Sequence, residues 1–315
     1  MGKSYIGIDI GGTKCAIVQG NRQGQILKKA QFATAAGGGP AAILEKLSAQ
    51  IEAWQVEDLA GIGVSCGGPL DSEHGVILSP PNLPGWDHIE IKAYMENRFG
   101  VRTNLQNDAD ACALAEWRFG AGRGCRNMVF LTFGTGMGAG LILNGQLYKG
   151  RNGYAGEIGH MRMSEYGPVG YAKPGSFEGF CSGSGIGQLA GSYALAQLQR
   201  GMKPLYCESV HALSQVTAAA AAQAAGAGDE TALQVYRTAG TCFGRGLAVL
   251  MDILNPDIIV AGGIYVRSGH LLRQSMEESI QQEAIGACIC PVVPAALGER
   301  LGDVGALCTG MGEPV

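Results

Sequence analysis

The chain opens on SYIGIDI, an apolar run in which Tyr5, Ile6, Ile8 and Ile10 read as a buried strand and one acid, Asp9, breaks the pattern. After Gly11-Gly12-Thr13 comes a second apolar run, CAIVQG, then a turn from Asn21 to Gly24 and a third strand-like run to Phe32. Strand, tight turn, strand predicts a β-hairpin. The same device returns at MVFLTF, which ends in glycines at alternate positions: Gly134, Gly136, Gly138 and Gly140. There the residues that follow are LIL, Asn144-Gly145 and QLY, and Asn-Gly between apolar runs marks a two-residue hairpin. Elsewhere the period lengthens. NDADACALAEW, from Asn107, predicts an alanine-rich helix, and Ala219 to Gly228 reads as the end of another. IIVAGGI predicts a buried strand ending in Gly262-Gly263, with a helix from about Ser268. ACICPVVPAAL predicts a strand with Cys288 and Cys290 on one side.

Bare backbone at the end of a buried strand lets main-chain N–H groups approach an anion with no side chain between. A P-loop would need GxxxxGK followed by Ser or Thr, and no such run is present. A dinucleotide fingerprint would need a helix straight after the glycines. The second hairpin continues as a strand instead, so the glycines sit in a strand–turn–strand. Two copies of one phosphate-receiving hairpin predict a duplicated α/β fold with a nucleotide held between its halves.

Composition narrows the setting. At 315 residues, 46% of them apolar, the chain is long enough for two domains with their own cores. A net charge of −4 with no basic run argues against a nucleic-acid partner. The late apolar segment LAVLMDILNPDIIVAGGI is broken by Asp252, Asn255 and Asp257, so no membrane span is expected. The start runs straight into a strand pattern without a signal peptide, and Ile6 stands where a myristoylation site needs Ser or Thr. Ten cysteines without a C-x-x-C pair read as small buried hydrophobes of a reducing, cytoplasmic setting.

DIGGTK, GVSCGGPLD, NLPGW, QNDADACALAEWRFGAG, LTFGTGMGAGLILNGQLYKG, AGEIGHM and IIVAGGI, in this order, resemble the ROK sugar kinases over nearly the whole chain. The resemblance implies an α/β, two-domain actin-like ATPase (ribonuclease H-like) fold with a nucleotide and sugar cleft between the domains. Residues 1–119 plus 297–315 would form the first domain and residues 120–296 the second. It implies ATP and Mg²⁺ as cofactors, a small-molecule sugar as partner and a homodimer. The expected reaction is phosphorylation of a hexose hydroxyl, glucose giving glucose 6-phosphate. N-acetylglucosamine, N-acetylmannosamine, fructose or a β-glucoside are the alternative acceptors. A sugar-responsive repressor of this family would carry a DNA-binding module ahead of the first glycine motif, where eight residues precede Asp9. A filament- or chaperone-type ATPase would lack the sugar-binding set.

Phosphoryl transfer to a sugar needs a phosphate cradle, a divalent cation, a base and clamps for the sugar. By the resemblance, Gly11, Gly12 and Thr13 hold part of the triphosphate, Gly134, Thr135 and Gly136 the part in flight, and Gly262 and Gly263 lie against the adenosine. Asp9 would orient the hydration shell of Mg²⁺, which usually keeps several waters; the plain alternative is a strand-end turn residue. Asp108 is the expected base, and the alternative there is a helix N-cap. A helix N-terminus favours the carboxylate, whereas a base works best near the ambient pH. Asn107, Glu157, His160 and Glu178 would clamp the sugar, with Gly67-Gly68 and the Asn82–Trp86 loop walling the pocket. Many relatives hold a structural zinc through the histidine and three cysteines downstream. Here Val169, Tyr171 and Ser176 stand in their places, so no zinc is expected, and packing by Tyr171 and Phe177 would keep the loop in its role.

Overall fold

Ile6, Ile8 and Ile10 alternate with small or polar neighbours, and that alternation becomes an edge-to-edge pairing. In the computed structural model, which describes residues 2–34 and 38–312, β1 (Ser4–Ile10) runs antiparallel to β2 (Lys14–Asn21), with Asp9 opposite Ala16. At the next turn the Asn21 side chain accepts from the N–H groups of Gln23 and Gln25, and β2 then pairs with β3 (Ile26–Ala33). Helix α1 (Gly39–Trp54) leads to β4 (Leu59–Cys66), which lies parallel to β1. Two short strands, β5 (Leu70–Asp71) and β6 (Val76–Ile77), precede α2 (Ile91–Phe99) and β7 (Thr103–Asn107). The sheet order is β3-β2-β1-β4-β7. Ile6, Ile8, Ile62 and Val64 are fully buried in one core with Leu47 and Ile51 of α1 and Met95 of α2. Helix α3 (Asp108–Phe119) follows β7 without a loop.

The second glycine run also forms its hairpin. β8 (Met128–Phe133) and β9 (Met137–Leu143) flank Gly134–Gly136, and β10 (Gln146–Leu147) returns antiparallel to β9. Asn144 and Gly145 between them have φ of 54° and 77°, as a two-residue turn requires. Next come β11 (Val169–Gly170), β12 (Lys173–Pro174), α4 (Phe177–Phe180), α5 (Gly183–Leu198), α6 (Ala218–Gly226) and α7 (Glu230–Leu254). β13 (Ile258–Ala261), α8 (Ile264–Glu283), β14 (Val292–Pro294) and α9 (Leu301–Met311) complete the order. The second sheet reads β10-β9-β8-β13-β14. Phe243 of α7 centres an aromatic cluster, with ring centroids 5.0 Å from Phe133, 6.0 Å from Phe177 and 5.8 Å from Tyr265.

Two local expectations need correction. Helix α8 starts at Ile264, directly after Gly263, and not near Ser268, because Gly263 at φ 57° turns the chain at once. The expected strand through Cys288 and Cys290 is absent. Gly286–Cys288 is a 3₁₀ turn and pairing begins only at Val292, beyond Pro291, which has no N–H for a ladder.

The chain divides into two compact units, one of residues 1–130, 140–155 and 296–315, the other of residues 131–139 and 156–295. In the first, α9 lies on β1 and β4 backbone against backbone. A Cβ on Gly63 would fall 2.1 Å from the Ala306 carbonyl oxygen, and one on Gly7 2.6 Å from the Leu307 nitrogen. Only glycine fits at such separations. The fully buried Glu116 of α3 anchors the segment before α9, accepting from the N–H groups of Ala121, Ala296 and Leu297.

Candidate active site

The first unit carries the Gly11-Gly12-Thr13 turn, Asp9, Asn107 and Asp108. The turn is tied down by its own backbone and by Thr34. Gly11 N–H donates to the Lys14 carbonyl at 3.0 Å, and Thr34 Oγ1 donates to the Gly11 carbonyl at 2.6 Å. Gly12 abuts the Asn82–Trp86 loop, since a Cβ there would come within 2.7 Å of the Asn82 carbonyl oxygen. Leu83 and Trp86 of that loop are buried in the core, so Asn82 is the residue that meets the turn. Gly67 faces the Asn82 side chain and Gly68 faces Asn107 Nδ2.

Asp9 is half-buried, and its carboxyl is pushed up to about 6 from the ordinary 3.8. Burial is the main cause, then the negative charges of Asp108 and Asp303; Lys14 and Lys29 offset part of it. Gly302 gives the carboxylate room, because a Cβ there would fall 2.8 Å from Asp9 Oδ2. Asp303, 6% exposed and ion-paired with Lys29, was not singled out by the sequence. Its one local signal is an acid in the first turn of an otherwise small and apolar helix.

The cap of α3 belongs to Asn107. Its Oδ1 accepts from Ala109 N–H at 2.9 Å, and Asp108 is the first helical residue, exposed, with Oδ1 2.8 Å from the same nitrogen. The N-cap alternative weighed for Asp108 therefore falls to its neighbour.

The second unit carries the other glycine turn and the remaining candidates. Gly134 N–H donates to the Gly136 carbonyl at 3.0 Å. The start of α5 grips the turn from outside: Gly183 N–H donates to the Gly134 carbonyl at 2.8 Å, and Ser184 Oγ to the Thr135 carbonyl at 2.9 Å. Ser182 caps α5 by accepting from Gly185 N–H. Sequence reasoning missed this Ser182-Gly183-Ser184 brace, although Ser before a helical run is an N-cap signal. Gly263 packs so closely on the end of β8 that a Cβ would lie 2.0 Å from the Phe133 carbonyl oxygen, beside Gly134. Gly262 N–H donates to the Leu131 carbonyl. Along α5 a cavity of about 620 Å³ is lined by Gly183, Ser184, Gly187, Gln188, Val216 and Thr217, among others.

Glu178, in α4, touches the turn directly. Its Oε2 accepts from Met137 N–H at 3.0 Å, and a Cβ on Gly136 would fall 2.8 Å from that oxygen. Glu157 precedes and His160 ends a 3₁₀ turn in which Ile158 and Gly159 are buried while both polar residues are exposed. Gly156, at φ 90°, exchanges closely with Ala139 of β9, whose N–H donates to its carbonyl at 3.0 Å. The His160 ring meets Tyr171 edge to face, centroids 5.1 Å apart. Phe177 instead lies in the aromatic core.

The residues at the cysteine positions do not fit zinc. Val169 has no donor atom, the buried Ser176 hydroxyl accepts from Gly179 N–H to cap α4, and Tyr171 stands against the His160 ring. Among the described residues no group of three or more His, Cys, Asp or Glu is placed to hold a metal ion. No helix among them is long and apolar enough to cross a membrane.

The sequence pattern of the ROK family matches residues 5–309. A glucokinase of Thermotoga maritima is 31% identical over 96% of this chain and 95% of its own length. An N-acetylmannosamine kinase of Escherichia fergusonii is 32% identical over 82% of each chain. Among solved structures, a ROK family glucokinase from Streptomyces griseus in complex with glucose and AMPPNP superposes with a TM-score of 0.77 at 30% identity, covering 98% of this chain and 99% of that one. Agreement that begins within β1 and ends within α9 reaches both sheets and every segment discussed above. The chain therefore belongs to the ROK family and has the α/β actin-like ATPase fold of its kinases.

Proposed function

We propose that the protein transfers the γ-phosphoryl group of ATP to a hexose hydroxyl, with glucose as acceptor and glucose 6-phosphate as product. The observation that carries this reading is the bond from Met137 N–H to Glu178 Oε2. It joins a carboxylate suited to sugar hydroxyls to the end of a glycine turn suited to a phosphate. The similarity to a glucokinase at 31% identity, and to a structure holding glucose and AMPPNP, supports the choice of acceptor and donor.

In this reading Gly11, Gly12 and Thr13 and the turn Gly134-Thr135-Gly136 hold the phosphates through main-chain N–H groups. Gly262, Gly263 and the cavity along α5 take the nucleoside. Asn107, Glu157, His160 and Glu178 bind sugar hydroxyls, fixing one of them for attack. Asp108 accepts that hydroxyl's proton. A helix N-terminus such as that of α3 favours a negative charge, and a loose transition state asks for a base only late, as the new bond to phosphorus forms. Asp9 would meet Mg²⁺ through water and not as a direct ligand, since Mg²⁺ usually keeps several waters. Mg²⁺, when bound with the nucleotide, would neutralise phosphate charge.

An N-acetylmannosamine kinase at 32% identity favours one second reading, the same chemistry on an N-acetylated hexosamine. One assay tests both: ADP release with ATP and Mg²⁺ against glucose, N-acetylglucosamine, N-acetylmannosamine, mannose, fructose and cellobiose, ranked by kcat/KM. Glucose at the head supports the first reading and N-acetylmannosamine the second. Sugar-independent ADP release throughout would overturn both.

A further inference from the structure

The turn joining β11 to β12 is built against ordinary turn chemistry. Gly170 pairs with Lys173, so Tyr171 and Ala172 form a two-residue loop, and both have positive φ, 45° and 62°. That geometry suits Asn-Gly, the pair this protein uses at Asn144-Gly145. A side chain with a Cβ is strained in the left-handed region, and a bulky one is rare there. Burial does not compensate, because Tyr171 is 69% exposed.

The rest of the hairpin is held by other groups. The Gln188 side chain bonds both the N–H and the carbonyl of Val169, each at 2.9 Å. Lys173 Nζ donates to the His160 carbonyl, and Ser176 caps α4. These bonds fix the backbone around His160 but leave its ring unheld. Among the described residues no hydrogen bond reaches the His160 imidazole; its contact is the Tyr171 ring, 5.1 Å away at an interplanar angle of 76°. Such edge-to-face pairs fix ring orientation through the aromatic quadrupole. The strained tyrosine and the otherwise unheld imidazole explain each other.

We propose that Tyr171 is a positioning residue, holding the His160 imidazole in the orientation in which it meets the sugar and so replacing the metal that a cysteine set would supply. The inference rests on His160 being a sugar ligand. Tyr171→Gly tests it well because glycine prefers this backbone conformation, so the loop keeps its shape. Tyr171→Gly should leave Tm equal or higher and raise the sugar KM roughly tenfold, the scale of losing a partner that orients a ligand. kcat and the KM for ATP should stay near the parent values, and Tyr171→Phe should restore the sugar KM. A zinc-selective chelator should leave Tm unchanged, whereas a drop would reveal a metal in the role given to Tyr171. His160→Ala is the reference. If it raises the sugar KM and Tyr171→Gly does not, the positioning role is overturned while the reading of the site stands. If Tyr171→Gly lowers Tm and leaves KM alone, the tyrosine is structural and the inference fails. If His160→Ala also leaves the sugar KM unchanged, His160 is not a sugar ligand and both readings of it fall.

Discussion

Asp9→Asn should make this protein more stable and less active, and the stability gain should depend on pH. The substitution keeps the shape of the side chain and removes its charge. The Asp9 carboxyl titrates near 6 in the fold against 3.8 in the open chain, owing first to burial and then to Asp108 and Asp303. Below 3.8 the acid is protonated in folded and unfolded chains alike, and its contribution is intact. As pH rises through about 6, that contribution is lost, because the fold must carry a charge it disfavours. The full gap corresponds to about 3 kcal/mol. The advantage of Asp9→Asn over the parent should therefore grow from about 1 kcal/mol at pH 4.5 to about 3 kcal/mol at pH 7.5. Urea unfolding of both proteins across this range, without nucleotide or divalent cation, measures it, and titrating groups that are not coupled to Asp9 cancel in the difference. A difference that stays constant with pH, or a variant less stable at pH 7.5, would refute the reasoning. The same variant should lose most of its Mg²⁺-dependent turnover, the usual trade of a charged site for stability.

Asp108→Asn should lower kcat by roughly 10²–10⁴-fold with little change in either KM; near-normal turnover in the ADP assay would remove the assigned base. Gly136→Ala should raise the sugar KM, because the added Cβ would sit 2.8 Å from Glu178 Oε2 and displace it from Met137 N–H. An unchanged KM with intact folding would dissociate Glu178 from the sugar. Glu116→Ala should cost at least about 3 kcal/mol in chemical denaturation, since it leaves the N–H groups of Ala121, Ala296 and Leu297 without their shared acceptor. A loss below about 1 kcal/mol would mean that water satisfies them.

What could be read from the sequence was what short-range chemistry decides. Asn144-Gly145 announced its turn because few residue pairs accept two positive φ angles, and the glycines of both hairpins stood out for the same reason. Asp9 was conspicuous as one acid in an apolar strand. Neighbouring cap formers blurred the start of α3: Asn107 and Asp108 suit that position almost equally and both accept from Ala109 N–H, so only the extended backbone of Asn107 separates cap from first helical residue. Cys288 to Ala296 misled because a short apolar run does not by itself distinguish a strand from a turn beside one. Asp303, Glu116 and the Ser182–Ser184 brace act through partners distant in the sequence, and their neighbourhoods carry no period that reveals them. Tyr171 is the opposite case, where local preference argues against the conformation found and the pairing of Gly170 with Lys173 imposes it.

The seating of α9 on bare strand backbone also bears on biosynthesis. The ribosome delivers this helix only after every strand of both sheets has emerged, so β1 and β4, made well before it, are among the last elements to be finished. Until then, the notches at Gly7 and Gly63 stay vacant, and nascent chains should present them to holding chaperones. Vectorial synthesis is thus run against assembly order, and any lesion that delays or removes α9 should surface as poor yield of folded protein before it surfaces as altered kinetics.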